Sequence, residues 1–285
     1  MSRLDVKKTY KLYIGGEFPR SESGRSYVVN DAKGRFLANA AQASRKDARD
    51  AVKAARAAFG GWSGRTAYNR GQVVYRIAEV LEGRRDQFEA ELRSQEGVTA
   101  ARARTFVDAA VDRLVWYAGW ADKIGQVTGS ANAVAGPYFN HSAPEPTGVV
   151  AIVAPPGPLF GLVSVVAPVI VTGNTCVVIA SEPYPLTAIT LGEVMATSDL
   201  PGGVVNVLTG SVAEIAPWLA SHMDVNGIDL TGVSDPDLAR SLEEAAAENL
   251  KRVRRPGPED LLEPPALDRM TRFLETKTVW HPMGI

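Results

Sequence analysis

From residue 148 to residue 250 the chain alternates short apolar runs with segments of helical periodicity, and this alternation limits the fold more than any other feature. Residues 148–154, 175–180, 204–209 and 225–231 are near-continuous apolar runs, as expected of strands buried on both faces. Residues 159–171, 185–196 and 213–221 between them read as helices. Residues 235–250 read as a fourth, with Ser234 or Asp235 as cap. Strands separated by helices imply βαβ crossovers. The expected fold is therefore α/β, a Rossmann-like parallel sheet with flanking helices. Such sheets bind ligands beyond the carboxyl ends of their strands.

The regions on either side have a different texture. Residues 10–19 suggest a short strand pair turning at Gly15-Gly16. Ser44 with Asp47 three residues later suits a capping box, and the helix that follows is expected to stop at Gly60-Gly61. Further helices are expected over 69–81, 85–95 and 104–124, with Trp116, Tyr117 and Trp120 as packing residues. Residues 125–146 are rich in Gly, Ala, Asn and Pro and read as an arm leaving the body. Four prolines mark 254–266 as a linker. Residues 267–285 read as a short helix and a strand around 276–280, with no neighbour in sequence to pair with, so that its edge needs a cover.

The chemistry-bearing residues are sparse. Cys176, the only cysteine, lies mid-strand between apolar neighbours, where a thiol has neither exposure nor a base to activate it. His141, His222 and His281 lack metal-ligand spacing. His222 reads as a helix-end cap and the other two as surface residues. Glu243-Glu244 reads as a solvated helix face. No phosphate-binding glycine loop and no Gly-x-Ser-x-Gly elbow occurs. A net charge of −1 supplies no basic field for nucleic acid or an anionic membrane. The polar start at residues 1–8 and the broken apolar stretch at 159–172 suggest neither a secretory signal nor a membrane span, so the cytoplasm is the expected location.

Within this frame the sequence resembles the aldehyde dehydrogenase superfamily. The resemblance rests on Gly148-Val149-Val150-Ala151-Ile152-Val153-Ala154-Pro155, on Gly173-Asn174-Thr175-Cys176 with Ser181-Glu182 after it, and on Leu200-Pro201-Gly202-Gly203 through Thr209-Gly210. Tyr13-Ile14-Gly15-Gly16 is similar to the family's opening strands, and Glu275-Thr276-Lys277-Thr278-Val279-Trp280 to its closing strand. The resemblance implies a dinucleotide-binding-like domain over 1–124 and 147–253, an oligomerisation arm over 125–146 and a C-terminal oligomerisation strand within 267–285. Ser181, Glu182 and Gly232 match its cofactor-binding positions.

The departures matter as much. Pro156-Gly157-Pro158-Leu159 stands where the family carries its oxyanion asparagine, a loss that costs about 10²–10³ in rate. Ile179 replaces a ribose-binding lysine, and Gly232-Val233 replaces a Gly-Ser pair at the pyrophosphate. After Val253 the general-base stretch and the lobe with the catalytic cysteine are missing, and Cys176 does not align with that cysteine. The expectation is a pseudoenzyme with no catalytic residue and no or weak NAD(P) binding. It would assemble with a full-length aldehyde dehydrogenase paralogue, or with itself. The alternative is an NAD(P)-dependent aldehyde oxidoreductase, acting alone or by completing a partner's site.

Overall fold

The computed structural model describes residues 7–284; Met1–Val6 of the polar start, and Ile285, lie outside them. At its centre is a five-stranded parallel sheet. Its strands are β6 (Val149–Val153), β7 (Thr175–Ile179), β8 (Val205–Leu208), β9 (Gly227–Asp229) and β10 (Arg252–Arg254). They lie side by side in the order β10-β9-β6-β7-β8. Every residue of β6 to β9 is buried, which is why these segments read as near-continuous apolar runs, broken by the buried polar Thr175, Asn206 and Asp229. The chain advances from β6 through β7 to β8, then returns to the other side of β6 as β9. The order therefore reverses between β6 and β9. β10 completes the sheet across the boundary expected at residue 253, taking in Arg254, the first residue of the expected linker. It is three residues long and half exposed, too short for an apolar run to reveal.

Helices α6 (Phe160–Val171) and α7 (Leu186–Ala196) cover one face, with α2 (Ala67–Gly83), α3 (Arg85–Glu96) and α4 (Ala100–Trp120) packed outside them. Helices α1 (Arg45–Ser63), α8 (Val212–Ser221) and α9 (Pro236–Ala247) cover the other. Ser44 and Asp47 form the expected capping box on α1. Gly60-Gly61 does not stop this helix, which runs on to Ser63. The reason is Trp62, which is fully buried and donates from Nε1 to the carbonyl of Ile170 at 2.8 Å. That anchor outweighs the roughly 1 kcal/mol each glycine costs in a helix. Tyr117 is fully buried, and Trp116 and Trp120 pack partly buried against the core, as expected.

Two smaller sheets flank the body. The first joins β1 (Thr9–Tyr10), β2 (Ser26–Asn30) and β3 (Phe36–Ala41). The β2–β3 hairpin has no clear sequence signature; its alternation is blurred by alanines and its exposed face carries Val28 and Phe36. The second belongs to the arm, where a short α5 (Ile124–Thr128) leads into β4 (Ser130–Asn132) and β5 (Tyr138–Pro146). After α10 (Asp268–Thr271), β11 (Leu274–Pro282) lies antiparallel on β5, from Leu274 opposite Pro146 to Pro282 opposite Tyr138. The closing strand, which has no neighbour in sequence to pair with, thus finds its cover in the arm of the same chain. One edge is taken by the arm, and only the outer edge lacks a partner among the described residues.

Candidate functional site at the sheet switch point

In open parallel sheets the ligand crevice lies beyond the carboxyl ends of the strands where their order reverses. Here that place is the end of β6 beside the end of β9. The residues matched to cofactor positions gather round it. Ser181 and Glu182 follow β7, whose last residue Ile179 accepts from the amide of Ala154 just past β6. Gly232 follows β9 and donates its amide to Val153. The tertiary structure thus brings all three to neighbouring strand ends.

Each of them sits in a different environment. Ser181 is buried, and Glu182 is exposed, its carbonyl accepting from the Tyr27 hydroxyl at 3.2 Å. Ile179 is wholly buried on the α1–α8 side and offers no cation. A Cβ on Gly232 would lie 2.0 Å from the Ala154 carbonyl oxygen, so glycine here is required by the close approach of β9 to β6. Val233 beside it is buried in the core. The amino end of α9 is capped by Asp235, whose Oδ1 accepts the Asp237 amide at 2.9 Å. Two aspartates now occupy a helix end whose dipole would otherwise favour a phosphate.

The crevice is also crossed by the chain itself. The proline-rich segment expected to be a free linker is pinned at three points. Arg113 of α4 donates from Nη2 to the carbonyls of Leu261 (2.6 Å) and Glu263 (3.0 Å). Leu261 packs at Gly161 in the first turn of α6. Arg269 of α10, buried to 5% exposure, donates from Nη1 to Asp229 Oδ2 at 3.1 Å at the end of β9. It also pairs with Glu259. Asp229 in turn accepts from the Thr231 amide, and Arg254 holds both Glu259 and Asp268. Burial works against the Glu259 carboxylate, but the Arg269 and Arg254 guanidiniums hold its pKa below the usual range. Residues 255–266 therefore form a strap. Arg113, Asp229 and Arg269 have no signal in the sequence, because nothing local marks an ion pair spanning 40 positions or hydrogen bonds spanning 148 and 150.

The remaining candidates are structural. Cys176 is fully buried between Val150 and Val205 on adjacent strands, and burial pushes its thiol far above its ordinary pKa. A thiolate nucleophile is not available there. His222 caps α8 and accepts the Asp224 amide on Nδ1 at 3.1 Å; burial lowers its pKa. His141 and His281 are exposed on the arm sheet. Glu244 is exposed, and Glu243 pairs with Arg255. Among the described residues no group of three or more His, Cys, Asp or Glu is placed to hold a metal, and no helix is long and apolar enough to cross a membrane.

Comparisons with known proteins agree with this frame. Residues 18–255 match the model of the aldehyde dehydrogenase family, a match that stops where the strap begins. Cytosolic aldehyde dehydrogenase 1 of Elephantulus edwardii is 34% identical over 264 residues, covering 89% of this chain and 51% of the relative. Retinal dehydrogenase 2 of Gallus gallus is 35% identical over 261 residues, covering 88% and 48%. The crystal structure of HpcC from Thermus thermophilus superposes with a TM-score of 0.81 at 30% identity, covering 86% of this chain and 47% of that one. The NAD+ complex of an aldehyde dehydrogenase from Bacillus cereus does so at 0.81 and 28%, covering 86% and 50%. The chain spans about half the length of the curated relatives it matches. With sheet order, strand-end motifs and flanking helices all in agreement, the chain belongs to the aldehyde dehydrogenase family.

Proposed function

We propose that this chain is a non-catalytic member of the family that assembles with a full-length aldehyde dehydrogenase through the outer edge of β11. One observation carries both halves of the proposal. The short path out of β10 first straps over the switch-point crevice and then delivers β11 to the arm. The same segment thus ties down the margin of the site and presents an edge. Residues 275–282 are all exposed, and an unpaired strand edge is a template for another chain. Cys176, the only thiol, is buried and cannot substitute for a lost nucleophile.

The second reading, an NAD(P)-dependent oxidoreductase, draws support from relatives solved with NAD+. Against it stand the buried Ile179, the aspartate-capped α9 and the pinned strap. On our reading these residues do not suit a dinucleotide.

The test is co-purification of the tagged chain with a full-length aldehyde dehydrogenase from the same cell. Removing residues 275–285 spares Arg269 and the strap, and should abolish capture while circular dichroism still reports a folded body. Undiminished capture by that variant would sink the strand-edge proposal. NADH fluorescence with the intact chain addresses the second reading: saturable binding with turnover of an aldehyde would replace the non-catalytic assignment.

A further inference from the structure

A cleft of about 560 Å³ lies between the first turns of α1 and the second half of α8, and shares no lining residue with the crevice. Its floor is apolar, from the buried Ala48 and Leu219. One wall is the indole of Trp218, a large ring left 41% exposed. The guanidinium carbon of Arg45 sits 3.5 Å from the centre of that ring. Stacked in this way, a guanidinium is held by its flat face while its N–H donors stay in its own plane. Among the described residues no carboxylate or carbonyl takes those donors. The neighbouring charges are already matched: Lys46 pairs with Glu22, and Arg49 with Asp50. Arg45 is therefore the uncompensated cation of the cleft, oriented by Trp218.

We propose that this cleft binds a small organic oxyanion with an apolar, ring-sized body. The body would lie on the Leu219–Ala48 floor against Trp218, and the oxyanion would take the in-plane donors of Arg45. A guanidinium fork matches carboxylate and phosphate oxygens alike. The volume decides against a bare inorganic ion, because clefts of about 300–1,000 Å³ suit ligands of small organic size. The strap, the crevice and β11 play no part, so the proposal stands independently of the assembly reading.

Phenyl phosphate, benzoate and inorganic phosphate serve as probes in calorimetric titration of the intact chain. The expected result is saturable binding of phenyl phosphate or benzoate, with inorganic phosphate weaker than either. The better organic probe identifies the head group as phosphate or carboxylate. Arg45→Met should weaken binding by about tenfold or more, the loss that removing a charge-assisted hydrogen bond brings. Trp218→Ala, which leaves the charge but frees the guanidinium, should weaken it too. Both side chains are exposed, so the variants should melt like the parent. Absence of saturable binding by either organic probe overturns the proposal. So does binding that Arg45→Met leaves unchanged, or inorganic phosphate binding as tightly as both organic probes.

Discussion

At the scale of single residues, several side chains act against what their type suggests. Cys176 and His222 look like chemistry in a sequence, yet one is a strand-core residue and the other a helix cap. Glu96, at the end of α3, is the reverse case. It looks like an ordinary surface acid, but burial raises its pKa to about 7, with Arg102 only partly opposing the rise. Its Oε1 is buried without a hydrogen-bond partner among the described residues. The sign of the linkage follows. The folded state holds the proton more tightly than the unfolded chain, whose carboxyl titrates near 4.5. Stability should therefore fall as pH rises from about 4.5 to about 7 and change no further above that. Glu96→Gln removes this titration. In thermal melts its advantage over the parent should grow across that window and level off beyond it. A difference that is flat in pH would show that the carboxyl is not held neutral.

Among elements, strand ends decide more than strand interiors. The runs that became β6 to β8 were legible because burial on both faces demands apolar residues at every position. The β2–β3 hairpin and β10 were not, because short, half-exposed strands carry no such demand. Gly232 shows how one position can answer to two requirements. It matches a cofactor-binding glycine of the family, while its place is also fixed by the Ala154 carbonyl 2.0 Å from where a Cβ would stand. Gly232→Ala should lower stability by about 1–3 kcal/mol through overpacking at the β6–β9 junction, as read from urea unfolding. A neutral substitution would mean that packing does not require glycine and would restore a ligand-based reason for it.

For the whole molecule, the strap connects the sheet, the helical layer and the arm. Arg269–Asp229 is a buried pair, and removing one partner leaves an uncompensated charge inside. Arg269→Met should cost about 3–5 kcal/mol in chemical unfolding. Adding Asp229→Leu should recover part of that loss, because the stranded carboxylate goes with it. If the single variant unfolds like the parent, the strap is not held through this pair. The same stretch of chain leads through α10, held by Arg269, to β11, the third strand of the arm sheet.

The amino-acid sequence by itself determined the α/β class, the order of the main strands and helices, and the burial of Cys176. All of these rest on local periodicity and on runs of apolar residues, which act over a few positions. Only the tertiary structure decided that the linker is a strap, that β11 pairs with the arm and that Gly232 is needed by a neighbouring carbonyl. It also paired Arg45 with Trp218 across separate helices. Each of these depends on contacts between residues far apart in the chain, and such contacts leave no trace in the pattern around either residue.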